Sequence, residues 1–187
     1  MMPSLLSHPA IPLALGLGLG RGLIPPRMLV AGILFSVLPD LDLLFGYVGW
    51  AETGIFAHRG FTHAMIVAWA VAVFFAGFAR YLHGSIVTAF WLLFLSMGSH
   101  GVLDAMTNGG AAVALAWPFS QERLFFSFRP IEAIPQDFSL LLSEKGLEVM
   151  ASELLWVWLP VLVAALLLRL LVRPGSRRRL AGGGTAS

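Results

Sequence analysis

Residues 95–110 read LSMGSHGVLDAMTNGG, so an apolar run ends in His100 and Asp104. On a helix, residues four positions apart lie on one face, and this imidazole and carboxylate therefore point to the same place. Ionisable side chains at the end of an apolar helix are costly in a membrane and indicate a functional site. We interpret the pair as the start of a metal site for which the rest of the chain supplies further ligands.

The composition is that of an integral membrane protein. Of the 187 residues, 58% are hydrophobic and 12% are charged, and the mean hydropathy is +0.83, whereas soluble domains are about half apolar and about a quarter charged. The chain has no cysteine, so any metal must be held by His, Asp, Glu or backbone oxygen. The one basic run, residues 177–179, is interpreted as a topology signal, and no nucleic-acid partner is expected.

The hydropathy pattern predicts an all-α, polytopic membrane bundle of about five transmembrane or re-entrant helices. A long loop, residues 105–148, separates the last two, and its length predicts a lid over a site. Gly16, Gly18 and Gly20 predict close helix packing. Residues 1–172 are predicted to form one membrane-embedded domain and residues 173–187 a basic, Gly-rich, disordered tail. The predicted helical segments are 1–20, 28–38, 64–79, 85–104 and 153–172.

Basic residues predict the topology. If the carboxyl terminus is cytoplasmic, as the positive-inside rule favours, eight of the 12 basic residues lie on the inner side. All ten acids then lie on the outer side or at its boundary. His83 falls on the inner side, away from the other candidate ligands. The eight inner arginines are Arg21, Arg27, Arg80, Arg169, Arg173, Arg177, Arg178 and Arg179.

Two more motifs reach the same outer face. Asp40 and Asp42 follow Pro39; they face one way if the chain is extended and opposite ways if it stays helical. In the helical case one of them is a ligand and the other orients it. His58 and His63 would diverge on a continuous helix, but Gly60 allows a turn that brings them together.

Two or three histidines with one or two carboxylates form the ligand set of catalytic zinc, which leaves one position open for water. The same set fits iron or manganese. Water bound to such a metal can reach a pKa near ~7. Arg59, inside the second motif, is suited to clamping a phosphate or carboxylate, and Thr62 is predicted to cap the following helix.

Simpler interpretations exist for each residue alone. A single intramembrane histidine is more often a hydrogen-bonding residue between helices, and Asp40 could merely end a helix. Three acids and three histidines at one membrane face are costly without a shared partner, which favours the metal site. Glu153 is a possible additional ligand, although an acid in a first helical turn is also favoured by the helix dipole. The role of His8 is left open.

Three ordered motifs, LPDLD at Leu38–Asp42, HRGFTH at 58–63 and SHGVLDAMT at 99–107, resemble the LexA-regulated, inner-membrane-associated family of predicted metal-dependent hydrolases. The resemblance covers residues 3–129. That family is in turn distantly similar to the zinc-dependent phospholipase C and P1 nuclease group, which is all-helical. The resemblance implies that the metal ligands are Asp40, His58, His100 and Asp104, with His63, Asp42 and His8 as candidates for a second ion.

We therefore expect a multi-pass protein of the bacterial inner membrane whose site faces the non-cytoplasmic side. The hypothesis is a metal-dependent hydrolase acting on a phosphoester of a membrane lipid or a similar small molecule, with zinc favoured over manganese or iron. Asp42 or His63 would orient ligands or act as general base. The expected phosphate-binding residues are Arg59, Arg123 and Arg129. The alternative is a non-catalytic metal-binding membrane protein, such as a sensor, a structural site or a transport component.

Overall fold

The computed structural model describes residues 5–44, 49, 54–134, 140 and 143–172. Its regular elements in these ranges are helices, as predicted, and the predicted tail, residues 173–187, lies outside them. Short 3-10 turns lie at Leu38–Asp42, Gly54–Phe56, Phe61–His63 and Ala79–Leu82. The longer helices are α1 (Ala10–Leu19), α2 (Pro26–Val37), α3 (Met65–Ala76), α4 (Ile86–Ala105) and α5 (Glu144–Leu171).

Two of the described helices are long and apolar enough to cross a membrane. These are α4, with 20 residues, and α5, with 28 residues, whereas α1 and α3 have 10 and 12 residues. The number of five spans therefore stays a prediction. α5 begins at Glu144 rather than at the predicted residue 153, because Ser143 caps its polar first turns by accepting a hydrogen bond from the Lys145 amide.

Helix α4 lies at the centre of the bundle and packs against α1, α2 and α3. The α3 face that meets it is a stripe of buried small residues at four-residue spacing, Ala68, Ala72 and Ala76. Small side chains let membrane helices approach closely, so dispersion contacts replace the missing hydrophobic driving force. Gly18 does the same between α1 and α5, since a Cβ there would lie 2.8 Å from the Leu168 Cβ.

The outer surface of the bundle is apolar. Large side chains on α5, including Leu162 and Leu166, are exposed, and so are Trp69 and Phe74 of α3 and Trp91 of α4. A water-soluble protein seldom exposes a continuous apolar surface of this kind. The described helices therefore present the surface expected for contact with lipid tails.

The predicted separation of charges between the two ends of the bundle is present among the described residues. At one end, the turn between α1 and α2 approaches the turn between α3 and α4, where Arg27 bonds to His83 over 3.0 Å. The opposite end holds the 3-10 turn Leu38–Asp42, the turn Phe61–His63 and the carboxyl end of α4. The ionisable cluster thus lies at the end away from Arg21, Arg27, Arg80 and Arg169.

Candidate metal centre

Three segments bring four side chains together at this end. α2 ends at Val37 because Pro39 lacks the N–H that would continue the helix, and the 3-10 turn that follows carries Asp40. The turn Phe61–His63 carries His63, and α4 carries His100 and Asp104 one helical turn apart. These four residues form the first group of candidate ligands, which we call the four-residue cluster.

The ligand atoms of the four-residue cluster have the separations of a tetrahedral site. His63 Nε2 lies 3.1 Å from His100 Nε2 and 3.2 Å from Asp104 Oδ2. Asp40 Oδ1 lies 3.2 Å from His100 Nε2 and 3.6 Å from His63 Nε2, and His100 Nε2 lies 3.6 Å from Asp104 Oδ2. Zinc at its usual bond length of about 2.0–2.1 Å has ligand atoms about 3.3 Å apart. These five separations fit one tetrahedral ion, and all four ligand atoms lie within 4.8 Å of one another.

Both histidines are oriented as metal ligands are. His100 Nδ1 lies 2.7 Å from the Ser36 carbonyl oxygen, and because a carbonyl only accepts, this nitrogen carries the proton. His63 Nδ1 lies 2.9 Å from Thr62 Oγ1 and 3.3 Å from Asp42 Oδ2. Because Thr62 donates its own proton to Asp42, His63 Nδ1 is the donor to Thr62 and carries a proton. Each ring therefore turns its Nε2, the nitrogen left for a metal, into the cluster, which is the arrangement that hydrogen bonds impose on metal-binding histidines.

The cluster also has unsatisfied negative charge. Asp104 is fully buried, and its Oδ2 has no hydrogen-bond partner; Asp40 Oδ2 has none either. Buried polar atoms without partners are costly, and a cation would satisfy them. With neutral histidines, three carboxylates (Asp40, Asp42 and Asp104) and the one guanidinium of Arg59 leave a net charge of −2. That charge matches a divalent ion.

The ionisation of the site follows the same electrostatics. Burial lowers the pKa of His63, but the neighbouring carboxylates of Asp104, Asp40 and Asp42 outweigh burial and raise its pKa to about 10. Burial raises the pKa of the Asp40 carboxyl, yet the neighbouring imidazoles of His100 and His63 hold that pKa well below its usual range. Without a metal, His63 is therefore protonated at neutral pH, and a bound cation would take the place of that proton and leave the ring neutral.

Asp42 faces away from the four-residue cluster, so the turn adopts the helical one of the two predicted arrangements. Its Oδ1 accepts from His58 Nδ1 over 2.7 Å, and its Oδ2 accepts from Thr62 Oγ1 over 2.6 Å. Burial raises the pKa of Asp42, but bonds from His58, His63 and Thr62 hold it well below its usual range. Asp42, His58 and His63 form a second group of candidate ligands. Thr62 is thus a partner of Asp42 and not the predicted helix cap, and Ala64 occupies the cap position.

The structure differs from the predicted ligand set at one position, because His63 rather than His58 joins Asp40, His100 and Asp104. The reason is the turn at Arg59 and Gly60. Arg59 has a φ of 62°, in the left-handed region, and a Cβ at Gly60 would lie 2.6 Å from the Ala57 carbonyl oxygen. This reversal leaves the rings of His58 and His63 nearly perpendicular, with centroids 5.4 Å apart.

The predicted phosphate-binding arginines have other partners. Arg59 is fully buried; its Nη2 donates to Asp104 Oδ1 over 3.0 Å and its Nη1 to the Ala111 carbonyl over 2.6 Å. It therefore positions Asp104 and cannot reach a substrate. Arg123 donates to the carbonyl oxygens of His58 and Gly54 over 2.9 and 2.7 Å. Of the three, Arg129 is exposed, with its guanidinium 4.7 Å from the Phe125 ring centroid.

Residues 106–134, which are part of the predicted lid at 105–148, pack beside the site. The Ala114 amide donates to the Arg59 carbonyl over 3.0 Å, and the Met65 amide donates to the Leu115 carbonyl over 3.1 Å. Leu115 also borders Gly101 of α4, where a Cβ would lie 2.6 Å from the His63 carbonyl oxygen. Glycine at this position therefore lets the His63 turn lie directly against α4.

The two remaining candidates lie outside the four-residue cluster. The His8 ring stacks on His100 with centroids 3.7 Å apart, and both of its nitrogens are buried without hydrogen-bond partners. Burial and the neighbouring His100 lower the pKa of His8 to about 3, so this ring is neutral. Glu153 is buried on α5 and belongs to neither group of candidate ligands. The Ser36 carbonyl, which orients His100, was not predicted, since a backbone acceptor has no sequence signal.

Comparison with known proteins places the chain in the bacterial inner membrane. A family model described as YdjM inner membrane protein matches residues 2–176. Inner membrane protein YbcI of Escherichia coli (strain K12) is 42% identical over 161 residues, which are 85% of this chain and 92% of that relative. No solved structure matches the chain. The chain therefore belongs to the YdjM inner membrane protein family.

Proposed function

We propose that this protein is a membrane-bound metal-dependent hydrolase that holds one divalent ion, with zinc favoured, between Asp40, His63, His100 and Asp104. The observation that supports the proposal is the convergence of two imidazole Nε2 atoms and two carboxylate oxygens, with the five separations given above in the range 3.1–3.6 Å. An ion bound there would act as a Lewis acid and lower the pKa of a water molecule that joins or displaces one of the four protein ligands, and so would provide a nucleophile at neutral pH.

The residues around the ion have separate tasks. Asp42 orients His63, the Ser36 carbonyl orients His100, and Arg59 orients Asp104. His58 is the general base: Asp42 Oδ1 lies 2.7 Å from its Nδ1, and its Nε2 is a buried atom without a hydrogen-bond partner. A carboxylate that fixes the tautomer of a histidine leaves the other ring nitrogen free to take a proton.

The proposed substrate is a phosphoester of a membrane lipid. The cluster lies at the carboxyl end of α4, an apolar helix of 20 residues, and therefore at the depth of lipid headgroups. Asp40 is the ligand that reaches the surface, with 9% of its side chain exposed against 0% for His63. Substrate therefore approaches past Asp40. The resemblance to predicted hydrolases and to zinc-dependent phospholipases supports the same reaction class.

The orientation in the membrane is part of the proposal. The end that carries Arg21, Arg27, Arg80 and Arg169 is cytoplasmic by the positive-inside rule. The candidate metal centre then faces the non-cytoplasmic side, where it meets the headgroups of the outer leaflet.

The test combines elemental analysis with a turnover assay on lipid phosphoesters in mixed micelles. We expect wild-type protein to hold one metal per chain and to release product, and His100→Ala to lose both. His83→Ala, at the other end of the bundle, is the matched control and retains both. His58→Gln is expected to retain metal and lose turnover, as a general base would.

A structural metal site is the second candidate function, and one observation favours it. His63, His100 and Asp104 are fully or almost fully buried, and four protein ligands complete a tetrahedral site, as structural zinc sites do. In that case metal removal lowers the melting temperature, and no lipid phosphoester is cleaved by the metal-loaded protein. Metal retention without turnover would therefore overturn the hydrolase and leave the metal site.

A further inference from the structure

A groove lies at the arginine-rich end of the bundle, between the carboxyl ends of α1 and α5. Arg21 and Arg169 line it together with the exposed apolar side chains of Leu17, Leu162 and Leu166. Its volume is about 680 Å³. The groove is far from the candidate metal centre, which occupies the opposite end of the bundle.

Both arginines are available to an anion. Arg169 reaches across the end of α1, where its Nη1 lies 3.5 Å from the Leu17 carbonyl oxygen. Gly20, with a φ of 75°, ends α1, and a Cβ there would lie 3.0 Å from that same nitrogen. Among the described residues no carboxylate pairs with Arg21 or Arg169, in contrast to the buried pair of Arg59 and Asp104.

The groove therefore combines two unneutralised guanidinium groups with an apolar wall that continues along α5. Guanidinium groups bind phosphate oxygens well, and basic pockets between membrane helices match lipid headgroups of negative charge. A zwitterionic lipid would bring its own positive group to this site, so two unpaired arginines favour an anionic lipid.

We propose that this groove, the α1–α5 groove, binds an anionic phospholipid. Arg21 and Arg169 hold the phosphate, and one acyl chain lies along Leu17, Leu162 and Leu166. The inference is independent of the proposed hydrolase, because it concerns other residues at the other end of the bundle.

The test is photo-cross-linking in phosphatidylcholine vesicles that contain a small fraction of phosphatidylglycerol with a photoactivatable acyl chain. We expect cross-links to concentrate on the carboxyl-terminal parts of α1 and α5. Unlabelled phosphatidylglycerol should compete roughly 30-fold better than phosphatidylcholine at low salt, a factor of about five for each arginine. The double variant Arg21→Gln/Arg169→Gln should lose that preference.

The matched control is Arg27→Gln/Arg80→Gln, which removes the same charge from the same end of the bundle but outside the groove. It should keep the preference, while circular dichroism confirms that both double variants are folded. Equal loss in the two double variants would show general attraction to the basic end and would overturn the proposal. Equal competition by both lipids in wild type, or cross-links spread evenly over the lipid-facing helices, would overturn it without any variant.

Discussion

Asp42→Asn is the substitution that best separates a metal ligand from the residue that orients it. Asp40 and Asp42 lie two residues apart in one 3-10 turn, but Asp40 faces His100, whereas Asp42 faces His58, Thr62 and the far nitrogen of His63. Asp40→Asn is therefore a matched control of the same chemistry in the same turn.

The structure sets the expected magnitude. Asp42 accepts hydrogen bonds on both oxygens, over 2.7 Å on Oδ1 and 2.6 Å on Oδ2, whereas an asparagine has one acceptor oxygen. One donor at Asp42 then loses its partner, and the ring of His63 is held less firmly. Loss of such an orienting partner costs about 10–100-fold in metal affinity, or about 1.4–2.7 kcal/mol.

The assay is competition for zinc against a chelating fluorescent indicator, with elemental analysis at saturating zinc. Asp42→Asn should bind one ion per chain with the weakened affinity given above. Asp40→Asn should lose more affinity, because an amide oxygen is a poorer ligand than a carboxylate. Thermal unfolding of each metal-free variant checks that the fold survives.

Three results would refute this reasoning. Equal losses in Asp40→Asn and Asp42→Asn would make both residues ligands. Two ions in wild type and one in Asp42→Asn would make Asp42 a ligand of a second ion. An unchanged affinity in Asp42→Asn would show that the contacts of Asp42 with Thr62 and His63 have no role in binding.

Three further predictions use the same purified protein. His63→Gln should lose the metal while His58→Gln keeps it within about tenfold, and the reverse result in elemental analysis would restore His58 as the ligand. In metal-free protein, burial lowers the pKa of His63, but three carboxylates outweigh it and raise that pKa from 6.5 to about 10. A histidine whose pKa is raised by folding stabilises the folded state in full below pH 6.5, and this stabilisation is lost as the pH rises through about 10. Thermal unfolding in chelator should therefore weaken over that window, and His63→Gln should remove the slope; a flat wild-type profile would contradict the shift. Gly101→Ala places a Cβ 2.6 Å from the His63 carbonyl oxygen and should cost about 1–3 kcal/mol with loss of metal affinity. In Gly98→Ala the nearest neighbour of the new Cβ is the flexible end of Met65, at 3.1 Å, so this substitution should be near neutral. Equal decreases in melting temperature for Gly101→Ala and Gly98→Ala would argue against the close approach of the His63 turn to α4.

The sequence was sufficient to find most of the site because the cost of charge in a membrane makes each ionisable residue informative. His100 and Asp104 share a face at any helical register, since that relation depends only on their spacing. The two arrangements of Asp40 and Asp42 were also foreseeable, and the 3-10 turn selects the one in which they diverge. The all-helical class follows from the apolar composition.

The roles of residues in the turn could not be read in the same way. Arg59 looked like an exposed phosphate clamp, yet it is buried against Asp104 and the carbonyl oxygens of residues 109 and 111. Those partners lie about fifty positions away in the chain, so no local pattern reveals them.

The sequence by itself determined that this is a helical membrane protein with a histidine and aspartate cluster at one end, because hydropathy and helical spacing are local properties. The tertiary structure alone decided which histidine joins the cluster. His63 does so because Arg59 takes a left-handed conformation, Gly60 fits against the Ala57 carbonyl and Gly101 admits the turn against α4. The contact at Gly101 is between segments and exists only once the chain is folded, and the turn at Arg59 and Gly60 is a backbone conformation that residue spacing does not reveal.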